Sequence, residues 1–187
     1  MLGGFGGQSP PHNAFHFRSE AEEIITMKIQ IDSREQTPLK FVEEEGIEVF
    51  THAMAVGDYC CILDDGSTCP VRFERKSIGD LFGTMTNGYE RFKREMGRAK
   101  TMGIGIAIIV EDSFTDIATG YKYSKFDGRA MIRKCFTLHI KYPDVIIYPV
   151  IFTNSKQESA AYIKSFYEGW NKNLKRKSGT AKPKDSE

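Results

Sequence analysis

Cysteine is scarce in this chain of 187 residues: there are four, Cys60, Cys61, Cys69 and Cys135, two of them adjacent. That excludes a small scaffold held together by disulfides and points to a reducing, intracellular compartment. No Cys-x-x-Cys pair occurs, so Cys60, Cys61, Cys69 and His52 do not read as a zinc site. The longest non-polar run, Gly103 to Val110, is eight residues, far short of a membrane span. No basic-then-apolar leader opens the chain. Gly103-Ile-Gly105 lacks the rest of a phosphate-loop pattern and leads into a strand, not a helix. No charge of one sign dominates either, since the net charge is +1.

The charge is nevertheless segregated. Arg91, Lys93, Arg94, Arg98 and Lys100 crowd one segment. Lys122, Lys125, Arg129, Arg133, Lys134 and Lys141 crowd another, and the end from Lys172 is lysine-rich. Acids gather at Glu20–Glu23 and Glu43–Glu48. Such a distribution suits either solvated helix faces or one face that meets a polyanion. With 40% apolar residues the chain can build one core.

Residues 1–26 are rich in glycine at their start and lack a sustained period; a disordered extension is expected there. From 171 to 187 a flexible basic tail is expected. Between them lies a single α/β domain, 27–170. Strands are predicted at Met27–Asp32, Ile47–Thr51, Tyr59–Leu63, Val71–Glu74, Ile104–Val110 and Val145–Val150. The Asp64-Asp65-Gly66 turn makes a hairpin of the third and fourth. Helical spacing joins Tyr89, Phe92, Met96 and Ala99, with Arg91, Arg94 and Arg98 on another face. A second stripe runs through Met131, Ile132, Cys135, Phe136, His139 and Ile140, with His139 expected in the core. Ser155-x-x-Glu158 is a capping box ahead of Ile163, Phe166, Tyr167 and Trp170, whose aromatic rings suit helix packing or a dimer surface.

One constellation carries chemistry. Gly57-Asp58 opens one hairpin strand and Glu74-Arg75-Lys76 closes the other. A hairpin of that length brings Asp58 beside Glu74, and residues two apart on a strand, Glu74 and Lys76, leave the same face. Two carboxylates and an ammonium suit a Mg²⁺ (or Mn²⁺) ion, which takes hard oxygens and shares its shell with a phosphate. The Arg75 backbone carbonyl is a further candidate ligand. Asp32, Arg34 and Glu35 end the first strand as supporting groups, and Asp80 opens the next helix. The chemistry that fits is metal-assisted phosphodiester hydrolysis.

The bare carboxylate–gap–E-x-K pattern matches PD-(D/E)XK nucleases. The longer one is more specific: Gly57-Asp58, a gap, then Glu74-Arg75-Lys76-Ser77-Ile78-Gly79-Asp80 resembles the signature of the XPF-family nuclease domain. Ile31-Asp32-Ser33-Arg34-Glu35 and Ile108-Ile109-Val110-Glu111 resemble flanking segments of that family, and the similarity spans about Met27 to Trp170. The resemblance implies a restriction-endonuclease-like mixed central sheet flanked by helices. It implies Asp58 and Glu74 as metal ligands, Lys76 as catalytic lysine, and Arg75 and Asp80 as the rest of the catalytic motif. It implies a structure-specific endonuclease cutting branched, flapped or forked DNA, able to pair as a homodimer through this domain. The Arg91, Arg94 and Arg98 stripe itself suits either a solvated helix face or contact with the DNA backbone. The alternatives are a catalytically silent DNA-binding or dimerisation module and a four-way-junction resolvase. One departure stands out: the family's helix after Asp80 bears an arginine and a glutamine, and in Gly88–Glu95 the glutamine is not evident.

Overall fold

A computed structural model of the chain describes residues 27–41 and 47–180. The extension expected at 1–26 and the end of the tail lie outside the described residues. Six strands form one mixed sheet: β1 (Met27–Asp32), β2 (Ile47–His52), β3 (Tyr59–Ile62), β4 (Val71–Lys76), β5 (Gly105–Val110) and β6 (Ile151–Phe152). Their order is β2-β1-β3-β4-β5-β6. Strands β3 and β4 form the expected antiparallel hairpin, with Tyr59 opposite Phe73. Strand β1 runs antiparallel to β3, while the β1–β2, β4–β5 and β5–β6 pairs are parallel.

Among the described residues, six helices cover the two faces: α1 (Ile78–Met85), α2 (Tyr89–Met102), α3 (Phe114–Thr119), α4 (Gly128–Phe136), α5 (Leu138–Lys141) and α6 (Lys156–Thr180). The alternation of β5 explains how one strand serves both cores. Ile106, Ile108 and Val110 join the cluster under α1, α2 and α4, and Ala107 and Ile109 join the one under α6. All six residues of β5 are buried for that reason. The four cysteines are free and buried, behaving as small apolar side chains. Burial pushes the Cys69 and Cys135 thiols up to about 11. Among the described residues no helix is long and apolar enough to cross a membrane.

Three expectations need correction. The sixth strand lies at Ile151–Phe152, not Val145–Val150. Around Ile147 the chain makes only an isolated bridge to Ile106, and Pro149, which has no N–H, interrupts the ladder before it resumes. The apolar stripe from Met131 does not continue unbroken to Ile140. Thr137 turns its hydroxyl back to the Arg133 carbonyl at 2.8 Å, and α4 ends there. The shift in phase buries Leu138 and leaves His139 and Ile140 outside, the latter 67% exposed. Finally, α6 continues to Thr180, across the first residues assigned to the flexible tail. Asn171, only 2% exposed, accepts from the Asp64 backbone N–H at 3.2 Å, and Lys175 pairs with the Asp64 carboxylate at 2.6 Å.

The start of α6 follows its capping signal. The Glu158 backbone N–H donates to Ser155 Oγ at 3.1 Å, and the Glu158 carboxylate reaches back to the Asn154 N–H at 2.8 Å. Phe166, Tyr167 and Trp170 pack on the sheet, the Phe166 ring edge-on to Phe73 at 5.1 Å. The buried Tyr167 hydroxyl donates to the carbonyls of Tyr59 and Val71, at 3.0 and 3.2 Å. It thereby ties α6 to both strands of the hairpin that carries the candidate site.

Candidate active site

The corner that presents Asp58 depends on glycine. Gly57 has φ +72°, and a Cβ there would lie 2.7 Å from Arg72 Cβ and 3.1 Å from the Phe73 carbonyl. Beyond the corner the backbone is pinned on both sides. The Asp58 N–H donates to Phe73 O at 2.7 Å, and the Asp32 N–H donates to Asp58 O at 2.8 Å. Extending the Tyr59–Phe73 register by one residue sets Asp58 opposite Glu74. The Asp58 carboxylate also accepts from the Arg75 backbone N–H at 2.7 Å.

At the end of β4, side chains leave on two faces. Glu74 and Lys76 point to the side covered by α1 and α2 and pair with each other while each is 7% exposed. Arg75 points to the other side. Its Nε and Nη2 bond Glu111 at 2.7 Å each, and its Nη1 reaches Glu35 Oε1 at 3.1 Å and Thr37 O at 3.0 Å. Asp32 is buried and accepts from Arg34, whose Nη2 also holds the Met54 carbonyl at 2.6 Å. That bonding to Arg34 holds the Asp32 carboxyl below its usual range.

These groups line a cleft of about 760 Å³ that takes in Asp32, Arg34, Glu35, Asp58, Glu74, Arg75, Lys76 and Asp80. The structure thus brings together every sequence-predicted member of the central motif. Asp80 is the most peripheral of them: it is exposed and exchanges bonds with Ser77, whose hydroxyl caps the Asp80 N–H at 3.1 Å. Of the arginine stripe, Arg91 and Arg98 line the cleft and Arg94 does not. Arg98 spends its Nε on the Ala55 carbonyl at 3.0 Å, so part of its function is to hold the corner before Gly57.

The electrostatics of the cleft are lopsided. Burial pushes Asp58 up to about 6, with Glu35 and Glu95 adding repulsion. Burial pushes Glu74 up to about 8, and Asp58 and Glu95 add to it, against the attraction of Lys76. Burial opposes the charge on Lys76, but Glu74 and Asp58 outweigh it and hold the lysine as an ammonium. Two carboxylates are therefore kept reluctant to ionise without further positive charge. Among the described residues no three His, Cys, Asp or Glu side chains gather closely enough to form a metal cage. A magnesium site does not require one, since that ion commonly takes one or two carboxylates and completes its shell with water and substrate phosphate. The donor chemistry of Asp58 and Glu74 fits such an ion.

Two cleft residues were not among the predicted site residues. Glu111, named in the sequence only as the end of a family-like segment, follows β5 directly and anchors Arg75. Glu95 lies on α2 between Arg91 and Arg98, and its carboxylate accepts from the Gly57 N–H at 3.3 Å. Its signal was visible: positions 91, 95 and 98 share one helix face. Glu95 faces the cleft from the helix on which the XPF-type glutamine was sought.

No curated protein sequence matches the chain significantly. Among solved structures, XPF from Aeropyrum pernix matches with a TM-score of 0.57 at 19% identity, over 81% of this chain and 69% of that one. A structure of XPF from Aeropyrum pernix in complex with DNA matches with a TM-score of 0.57 at 21% identity, over 78% of this chain and 66% of that one. That likeness is one of fold. Residues 31–166 match the ERCC4 domain, and by that match across most of its length the chain belongs to the ERCC4-domain family as an XPF-type nuclease domain.

Proposed function

We propose that this protein is a divalent-cation-dependent DNA endonuclease that cuts branched, flapped or forked DNA. The observation that carries the reading is the convergence of Asp58, Glu74 and Lys76 on one side of the β3–β4 hairpin, inside one cleft. Asp58 and Glu74 would hold Mg²⁺ or Mn²⁺. When bound, that ion supplies Lewis acidity toward the scissile phosphate and lowers the pKa of a water. The Arg75 carbonyl is the third candidate oxygen. Along a strand, backbone groups alternate sides. The Lys76 carbonyl accepts from the Glu111 N–H of the β5 side, while the Arg75 N–H serves Asp58.

The protein's own groups divide the remaining tasks. Lys76, kept charged by its carboxylate neighbours, offsets the charge of the phosphate and orients the attacking water. Water oxygen bonds to phosphorus as the phosphorus–O3′ bond breaks, which leaves a 5′-phosphate and a 3′-hydroxyl. Arg91 and Arg98 line the same cleft and suit contacts with flanking phosphates. Arg75 acts at one remove by fixing Glu35 and Glu111. The similar Aeropyrum pernix structure in complex with DNA supports nucleic acid as the partner.

The test incubates purified protein with labelled flap, fork, four-way and linear DNA, in Mg²⁺ or in EDTA, beside Asp58→Asn and Lys76→Ala. Cutting that needs the cation, favours branched DNA and falls about a hundredfold or more in both variants supports the reading. Binding with no cation-dependent cutting by the wild type overturns it in favour of a silent binding module.

A further inference from the structure

The loop between α3 and α4, residues 120–127, is used by neither the cleft nor the sheet, yet it is built with care. Tyr121 is anchored on α1. Its ring packs at 5.8 Å from the buried Phe82, and its hydroxyl lies 3.0 Å from where a Cβ on Gly79 would stand. Tyr123 packs edge-on to Tyr121, centroids 5.4 Å apart at 77°, and is nonetheless 76% exposed. Three rings, Phe82, Tyr121 and Tyr123, therefore climb from the core into solvent, and Gly79, which the Tyr121 hydroxyl faces, is the residue before Asp80 of the cleft. Over the outermost ring the Lys122 ammonium sits 4.7 Å from the centroid, and Lys125 is exposed on the same loop.

An exposed ring braced from beneath keeps a flat apolar surface in a fixed attitude, which is what stacking on another flat ring requires. Two adjacent lysines ask for anionic groups close to that ring. A nucleobase with its phosphodiester meets both demands, but bases in a duplex are already stacked on one another. An unpaired base in a single strand is not, and aromatic side chains among basic residues are the usual platform for it. We propose that Tyr123, with Lys122 and Lys125, forms a stacking platform for an unpaired base in the single-stranded arm of a branched DNA whose junction lies at the cleft. The inference rests on the reading of the cleft as a DNA-cleaving site and names the part of the substrate held outside it.

The experiment measures binding in EDTA, so that it is independent of cutting. Probes are a forked DNA with 2-aminopurine at successive positions of its single-stranded arm and a blunt duplex of equal length. The wild type is expected to change the fluorescence of one or two arm positions near the junction. Tyr123→Ala should abolish that change and weaken fork binding about tenfold while leaving the blunt duplex unaffected, and Tyr123→Phe should behave as wild type. Lys122→Ala should flatten the salt dependence of fork binding. Matching melting curves for wild type and variants check that each has folded. Equal binding of the fork by wild type and Tyr123→Ala, or an equal loss on both DNAs, overturns the proposal. A wild type that cuts branched DNA while Tyr123→Ala binds the fork normally defeats the platform alone. A selective loss of fork binding in Tyr123→Ala, with no cutting by the wild type, defeats the nuclease reading and supports the platform.

Discussion

Two charge clusters sit back to back at the end of β4, and they are balanced differently. On the α6 side, the Arg75 guanidinium meets Glu111 twice at 2.7 Å and Glu35 at 3.1 Å, with the Thr37 carbonyl taking a further donor. Such bidentate, mutually satisfied bonding is what a structural ion cluster looks like. On the α1–α2 side, one ammonium faces Glu74 and Asp58 with Glu95 close by, and both Glu74 and Asp58 are pushed toward their neutral forms. The same three-residue stretch thus supplies a completed network on one face and an unbalanced one on the other. Imbalance of this sort costs stability in the bare protein, and carboxylates shifted by burial and like charge inside a cleft are a common mark of functional sites.

Replacing a residue in each cluster should separate them most sharply. Arg75→Ala leaves Glu35 and Glu111 without their shared cation and should cost about 3 kcal/mol of stability in a denaturant titration. Lys76→Ala should lose cleavage while unfolding near the wild-type midpoint. Equal destabilisation by the two would erase the distinction between the clusters.

A smaller effect concerns pH. Glu74 has a folded pKa of about 8 against an ordinary 4.5, so the folded state binds its proton more tightly than the unfolded one. The stability this gives is present below about 4.5 and is lost as pH rises toward 8. Asp58 acts in the same direction between 3.8 and about 6. Melting curves of the cation-free protein should therefore fall across this window, Mg²⁺ should restore the loss at the alkaline end, and Glu74→Gln should flatten the dependence. A melting temperature that climbs from pH 5 to 8 without cation would contradict the unbalanced cluster.

The smallest effect is at Glu95. Glu95→Gln keeps an acceptor for the Gly57 N–H and removes a charge, whereas Glu95→Ala removes both. If Glu95 positions the Asp58 corner, turnover should fall several-fold in Glu95→Ala and recover in Glu95→Gln, with KM little changed in either. The same loss in both variants would instead assign the effect to charge.

The parts of this arrangement legible in the sequence were those made by neighbours along the chain. The turn at Asp64–Gly66 and the antiparallel pairing of β3 with β4 set Asp58 beside Glu74 locally, and the spacing of Glu74 and Lys76 put both on one face. Contacts closed by the tertiary fold were hidden. Glu111 and Glu95 reach their partners across 36 and 38 positions, and no local pattern announces which strand or helix will be adjacent. The misplaced sixth strand and the broken stripe at Thr137 have a different cause. In each, hydrophobic periodicity was read through a backbone interruption, Pro149 in one and the hydroxyl of Thr137 in the other.

The hydrogen bond that the Tyr167 hydroxyl shares between the Tyr59 and Val71 carbonyls has a practical consequence for where this domain can be cut. The middle of α6 acts as a clasp on the hairpin. A fragment stopping at Trp170 keeps that clasp but strips Asn171 and Lys175 from Asp64 at the hairpin turn, and one stopping before Tyr167 opens the clasp as well. Progressive trimming of α6 from its C-terminal end should thus loosen the hairpin strands from a distance before it removes any residue of the cleft itself.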